Sequence, residues 1–544
     1  MWSRGRRRSR DSQTRTSGST PRRRRGSTKD CSDGRSLALG LQPCAALVRM
    51  LFQDELDRMR DSFWSVLPLA LHGAVVIAAF LTVPIDRKPS SATAWLLLIV
   101  SAPFFGVLLF LAIGSPKLPK RRRKLQRQMT RMIAAALAET GSAAESGPAP
   151  PESLGERMAP HAQLAERLGG MPPMTGNGIE ILHGYEDIIV RMAEAIGRAR
   201  HYAHVEFYVI AMDATTEPLF AAMEAAVARG VTVRLLLDQM GSRKFPRRKA
   251  MEARLTGAGV QWRYMLPVLN PRELLRIDLR NHRKILVVDS LEALTGSLNL
   301  IAPGYHRKDD ISYEELCVRL TGPAVFELEA VFVTDWYSET GELLDASFHP
   351  AVETGSRESG QGVTAQVLPS GSGFDDENNL RLFTGLMHAA RRSLVVATPY
   401  FVPDDALMLA ITSAAERGVA VTLINSEAVD QTFVVYAQRS FYEQLMQAGI
   451  DVRLYPAPAL LHAKAMVVDG DLAAIGSSNL DIRSFTLNME VTLLLYGEVA
   501  VAPLKHALDA YAACARPLDL AHWRKRPLGA RAVENLARLT SALQ

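Results

Sequence analysis

The chain has 544 residues, a formal net charge of +6 and a pI near 9.1, enough length for two domains with appendages. Its four cysteines, Cys31, Cys44, Cys317 and Cys514, are scattered with no C-x-x-C pair, which argues against a disulfide framework or a zinc site. The basic excess is concentrated before residue 132, so it describes a tail and flanks more than a folded body.

Residues 1–49 are rich in Arg, Ser, Thr and Gly, with Arg22 to Arg25 the densest run, and predict a disordered basic tail. A tail for nucleic acid or anionic lipid is one reading; a solvated extension, or a start assigned too early because Met50 opens a stretch with the look of a natural N-terminus, is the favoured one. Residues 50–139 carry two apolar runs, Phe63 to Val83 and Ala92 to Ile113. Each is about 20 residues, the length a helix needs to cross a hydrocarbon core of ~30 Å, and the short connection from Pro84 to Ser91 predicts a transmembrane hairpin. Arg58 and Arg60 precede the first run, and Lys117, Lys120, Arg121, Arg122, Arg123, Lys124, Arg127 and Arg131 follow the second, whereas the loop between holds only Arg87 and Lys88. That asymmetry places both ends, and everything downstream, on the cytoplasmic side. The basic cluster also suits an anionic membrane surface. A juxtamembrane helix over Gln126 to Glu139 and an Ala/Gly/Ser/Pro-rich linker over 140–160 are predicted next.

The body is an internal repeat, with halves at 161–350 and 351–544. Ala228-Arg229-Gly230-Val231-Thr232-Val233 matches Glu416-Arg417-Gly418-Val419-Ala420-Val421, and Ala258-Gly259-Val260 matches Ala448-Gly449-Ile450. Helix and strand patterns alternate in both, which predicts an α/β fold with helix-covered sheets. The loop from Met265 to Arg280, with Leu274 and Leu275, is about ten residues longer than its counterpart before His462, and reads either as the border of an acyl-chain entrance or as an ordinary surface excursion.

Each half contains one copy of H-x-K-x4-D-x6-G-S-x-N. The first is His282, Lys284, Asp289, Gly296, Ser297 and Asn299; the second is His462, Lys464, Asp469, Gly476, Ser477 and Asn479. The apolar residues after each Lys predict a strand, on which His and Lys share a face and Asp falls at the end before a turn. Set face to face, the two copies make a cradle for a phosphoryl group. Two lysines supply positive charge, Ser and Asn supply donors, and a histidine stands on each side to attack phosphorus or protonate the leaving oxygen. The sequence offers no cysteine or carboxylate cluster for a metal, and no cofactor is called for.

The duplicated motif resembles the signature of the phospholipase D superfamily. The resemblance implies two fused αβ sandwich halves related by a pseudo-two-fold, and a metal-independent two-step transfer through a phosphohistidine. It also implies an acid beyond each G-S-x-N element that orients an imidazole: Glu490 in the second half, and Glu315 or Glu314 in the first. Which acid serves His282 stays open. By the same resemblance His282 is the nucleophile and His462 the acid and base, with Asp289 and Asp469 counted in the catalytic motif and bracing turns of the site.

Along nearly its whole length the chain is similar to bacterial cardiolipin synthases. The similarity is carried by Arg87-Lys88-Pro89-Ser90-Ser91, Thr175-Gly176-Asn177, Arg280-Asn281-His282-Arg283-Lys284, Pro369-Ser370-Gly371, Thr398-Pro399-Tyr400-Phe401, Asn479-Leu480-Asp481 and Trp523-Arg524-Lys525-Arg526-Pro527. It implies a bacterial inner-membrane enzyme that joins two phosphatidylglycerols into cardiolipin with release of glycerol. A phospholipase D hydrolase and a transferase using phosphatidylethanolamine are the alternatives. No nucleic-acid partner is expected, and the oligomeric state is open. Tyr400 and Phe401 read either as a lipid-facing rim or as core. Arg280 is a candidate for a second headgroup phosphate, and Arg283 alternates to the far face of its strand.

Overall fold

The computed structural model describes residues 42–85, 87–115, 117–139, 146–268, 278–305, 310–344 and 362–539. Most of the basic tail, and the loop residues 269–277 with Leu274 and Leu275, lie outside the described residues. The chain divides into two compact units, one up to Pro103 and one from Phe104 onward.

The first unit holds helices Gln42–Thr82 and Pro89–Ser101, which pack against each other and bury Ala79, Val83, Ala92 and Ile99. Within the longer helix, Phe52–Thr82 contains an 18-residue stretch of mean hydropathy 2.0; among the described residues it is the one helix long and apolar enough to cross a membrane. The second expected span is not one helix. Pro89–Ser101 ends at Ala102, whose φ of −143° and ψ of 74° leave helical space, and a new helix, Pro103–Ile113, follows. Pro103 is the physical cause, because its ring disfavours helical backbone at the residue before it.

In the second unit, sixteen strands form one sheet among the described residues. A short strand β1 (Gly147–Pro148) flanks β2 (Met174–His183). The first half continues with β3 (Tyr202–Phe207), β4 (Thr232–Asp238), β5 (Gln261–Met265), β6 (Lys284–Val288), β7 (Glu292–Gly296), β8 (Ser312–Glu314) and β9 (Leu316–Thr321). The second half contributes β10 (Val363–Ser370), β11 (Ser393–Ala397), β12 (Phe401–Val402), β13 (Ala420–Ser426), β14 (Asp451–Tyr455), β15 (Ala459–Leu461), β16 (Ala465–Val468), β17 (Leu472–Gly476), β18 (Leu480–Asp481), β19 (Glu490–Tyr496) and β20 (Arg516–Pro517).

The order β2-β9-β7-β6-β3-β4-β5 in one half is matched by β10-β19-β17-β16-β11-β13-β14 in the other, and antiparallel pairing of β10 with β2 joins them. The duplication read in the sequence is therefore a duplication of topology. Each half is mixed: β3-β4-β5 and β11-β13-β14 run parallel, whereas β6 and β16 run antiparallel to their neighbours. β6 and β7, like β16 and β17, are joined by tight turns and so must pair antiparallel. Helix Val325–Thr340 in one half and Glu498–Cys514 in the other cover the sheet with apolar side chains.

The stretch 140–160 was read as a linker, yet β1, a 3-10 turn Pro151–Leu154 and the start of helix Gly155–Gly169 fall within it. The basic helix Lys120–Glu139 is docked on the body. Arg122 makes a two-pronged ion pair with Glu339 (2.6 and 3.1 Å), their side chains only 7% and 4% exposed. Lys117 donates to the carbonyls of Phe374 and Asp375 at 2.7 and 2.9 Å. Arg122→Ala leaves the Glu339 carboxylate buried without its cation, which costs about 3–5 kcal/mol. The expected outcome is a lowered unfolding temperature of the full chain in detergent, with faster tryptic cleavage inside 120–139; an unchanged temperature contradicts the docking.

Candidate active site

The two motifs reach the site by the same local steps. Gly296 and Gly476 let one strand press against the next: a Cβ there would lie 2.5 Å from the Leu316 carbonyl oxygen or 2.2 Å from that of Val491. That approach lets Ser297 N–H donate to Leu316 O and Ser477 N–H to Val491 O, both at 3.0 Å. The serine hydroxyls are spent in the same place. Ser297 Oγ accepts from Leu316 N–H (2.9 Å), and Ser477 Oγ accepts from Val491 N–H (3.0 Å) while donating to Glu490 Oε2 (2.6 Å). The expectation that both hydroxyls face a phosphate is corrected: the close strand approach turns them inward as braces.

The halves then cross. β15 pairs in parallel with β8, with Leu461 opposite Glu314, and Asn281 bridges to Met489. His462 N–H donates to Glu314 O (2.7 Å), and His282 N–H donates to Met489 O (2.8 Å). Each histidine is thereby set beside the other half's carboxylate. His282 Nδ1 lies 2.9 and 3.0 Å from the two oxygens of Glu490, and His462 Nδ1 lies 2.8 and 3.0 Å from those of Glu315. This answers which acid serves which imidazole. It also selects Glu315 over Glu314, whose carbonyl is what contacts His462. Lys284 Nζ donates to His282 O and Lys464 Nζ to His462 O, each at 2.6 Å.

Asp289 and Asp469 are elsewhere. They stand past the far ends of β6 and β16, roughly 23 Å along the chain from the histidines at ~3.3 Å per residue. Both take left-handed backbone, φ 51° and 53°, in the hairpin turns. Asp289 accepts the N–H groups of Arg200, His201 and Tyr202, and Asp469 those of Arg391, Arg392 and Ser393. The catalytic assignment of these two is therefore corrected: each caps three amides and ties its hairpin to the neighbouring strand. Burial raises Asp469, but these amides and Arg157 outweigh it and hold the carboxyl below its ordinary value.

Asn299 and Asn479 are buried at the site; Asn299 donates to the Tyr305 hydroxyl (3.3 Å). Tyr400 and Phe401 belong to the core. Arg280 is not open to a headgroup, because it pairs with Asp238 (3.1 Å) and donates to Leu266 O (3.2 Å). Arg283 does lie on the far face, in an ion pair with Asp335. The sequence reading passed over Tyr208 and Tyr313, whose rings meet His282 and His462 edge-on at 5.0 and 5.5 Å. Tyr313 could have been found from spacing, since it stands only two residues before Glu315, within β8.

All six titratable side chains share one basin, since each histidine and lysine responds to the charges of the opposite motif. Burial pushes His282 down to about 4 against the pull of Glu490, and lowers His462 against Glu315. Burial also lowers Lys284 to about 7 and Lys464 to about 8, with Glu490 and Glu315 opposing the fall. Burial raises the two carboxyls, but the imidazoles and lysines outweigh it, so Glu315 and Glu490 stay ionised. The outcome is two neutral rings, each donating Nδ1–H to a carboxylate and keeping an unshared pair on Nε2. Beside them are two ammonium groups that hold their protons best once an anion arrives.

These features define a member of the phospholipase D superfamily. Residues 192–336 and 383–511 match the family described as "Cardiolipin synthase, PLD-like domain", and 74–115 match "Phospholipase_D-nuclease N-terminal". Cardiolipin synthase A of Yersinia pseudotuberculosis serotype O:1b (strain IP 31758) is 35% identical over 487 residues, spanning 87% of this chain and 98% of that protein. Cardiolipin synthase A of Yersinia pestis matches with the same figures. The fold is also that of phosphatidylserine synthase from Haemophilus influenzae Rd KW20, with a TM-score of 0.53 at 17% identity, covering 70% of this chain and 99% of that one. The chain belongs to the cardiolipin synthase family.

Two outcomes are expected. Glu490→Gln lowers turnover through His282 although it sits in the other half, so adding it to His282→Ala costs nothing further; independent, multiplicative losses contradict the crossed pairing. Tungstate, whose charge is constant between pH 6 and 9, binds most tightly below pH 7, where both lysines are charged. Its affinity, read by calorimetry, falls by at least about tenfold towards pH 9; a flat profile contradicts the lowered lysines.

Proposed function

We propose that this enzyme transfers a phosphatidyl group from one phosphatidylglycerol to a second, forming cardiolipin and glycerol, with His282 as nucleophile and His462 as acid and base. The observation that carries the reading is the reciprocal His282–Glu490 and His462–Glu315 pairing. It leaves one Nε2 from each half to work on a single phosphorus.

In the first step the Nε2 electron pair of His282 attacks phosphorus. The bond to the glycerol oxygen breaks, and that oxygen takes its proton from protonated His462. The negative phosphodiester and the ionised Glu315 both favour the protonated form of His462 at that moment. Lys284 and Lys464 neutralise the phosphoryl oxygens as charge builds on them. In the second step the terminal hydroxyl of another phosphatidylglycerol attacks phosphorus and gives its proton to His462. The P–N bond breaks, returning the electron pair to His282. Water in place of that lipid yields phosphatidic acid, so packing against the bilayer is needed to exclude it.

The apolar stretches Phe63 to Val83 and Ala92 to Ile113 anchor the enzyme in the bacterial inner membrane. Two crossings with both ends cytoplasmic satisfy the Lys and Arg distribution. The break at Ala102 lies within the second crossing. The basic face of Lys120–Glu139 meets anionic headgroups.

The test is a product assay with labelled phosphatidylglycerol in mixed micelles. The wild-type enzyme yields cardiolipin and free glycerol from phosphatidylglycerol alone, and His282→Ala and His462→Ala each lose more than about 10³-fold. Phosphatidic acid as the sole lipid product contradicts the transfer reading.

A further inference from the structure

The two histidines have matching first partners, but what lies beneath them differs. Strand register equates Glu206 with Ala397, since Glu206 pairs with Ile285 and Ala397 with Ala465, one residue past each motif lysine. The motif itself equates Asn281 with Leu461 and Arg283 with Ala463. Under His462 the three counterparts are core apolar residues. Under His282 they join a buried polar network. Arg283, 1% exposed, donates from Nε to Glu490 O (3.1 Å) and pairs through Nη1 with Asp335. Asn281 donates to Glu206 Oε1 (2.9 Å), and its own Oδ1 accepts from Arg283 N–H (3.2 Å).

The Glu206 carboxyl responds to the charges of both Asp335 and Arg283. Glu206 Oε2 and Asp335 Oδ1 have no donor. Burial, then Asp335, drives the Glu206 carboxyl well above its ordinary value.

We propose that Arg283, held by Asp335 and Glu206, is a positioning residue for His282 alone. It fixes the backbone at Glu490, and through it the carboxylate that orients the His282 ring, so the two chemically similar histidines are not equivalent. The half with the network carries the ring that forms a bond to phosphorus, which must be aimed. The half without it carries the ring that only moves protons. This reading of the consequence rests on the roles proposed above; the positioning itself does not.

The test uses the full-length enzyme in detergent, with Arg283→Met, Arg283→Lys and Asp335→Asn. Diethyl pyrocarbonate modification, mapped by mass spectrometry without any lipid substrate, reports how free each ring is. The expected result for Arg283→Met is several-fold faster modification of His282 with His462 unchanged. Turnover of phosphatidylglycerol should fall at least about tenfold in kcat with KM little altered, partly rescued in Arg283→Lys. Equal acceleration at both histidines means general loosening and overturns the proposal, as does an unchanged His282. Selective loosening of His282 with kcat retained upholds the positioning and counts against the nucleophile assignment instead.

Discussion

The exchange of carboxylates between the two halves is the constraint on which the rest of this structure depends. Glu490 holds His282 and Glu315 holds His462, so neither half contains a complete imidazole–carboxylate pair. A fused duplication needs both copies intact for this reason. The parallel β8–β15 pairing and the Asn281–Met489 bridge make the exchange possible, because each sets the residue before a carboxylate against the residue before a histidine. The G-S element serves the same end: its glycine admits the neighbouring strand, and Ser477 fixes Glu490 from behind.

Burying this much charge is unfavourable unless the groups neutralise one another. The site does so within one basin: two ionised carboxylates face two lysines and two imidazoles. Burial lowers the lysines and histidines, so the empty basin has little net positive charge. A phosphodiester entering it restores protons to the lysines and favours protonation of one imidazole. The same anion that is to be cleaved therefore prepares the acid that cleaves it. Arg122–Glu339 and Arg283–Asp335 are further buried ion pairs, one docking the basic helix and the other beside the Glu490 backbone.

Much of this was legible in the sequence because it is written in spacing. Two identical H-x-K-x4-D-x6-G-S-x-N copies gave the duplicated fold, the histidines and the lysines, and the alternating pattern gave α/β halves. Spacing could not show what a side chain does at the end of a strand. Asp289 and Asp469 are regular members of the motif because left-handed turns and three amides need a short acid there, not because phosphate does. The crossing of Glu315 and Glu490 depends on pairing between distant strands, which no local pattern encodes. The second apolar run reads as continuous by hydropathy, and Pro103 breaks it through backbone geometry that hydropathy ignores. The network under His282 did leave a trace: Arg-Asn-His-Arg-Lys in one copy against Leu-Leu-His-Ala-Lys in the other.

The most direct measurement is to trap the covalent intermediate. Enzyme mixed with labelled phosphatidylglycerol is quenched within one turnover, digested and mapped by mass spectrometry. The account predicts an acid-labile, base-stable phosphatidyl group on the peptide containing His282, absent in Glu490→Gln. The label on His462, or glycerol released at full rate with no labelled histidine, would contradict it.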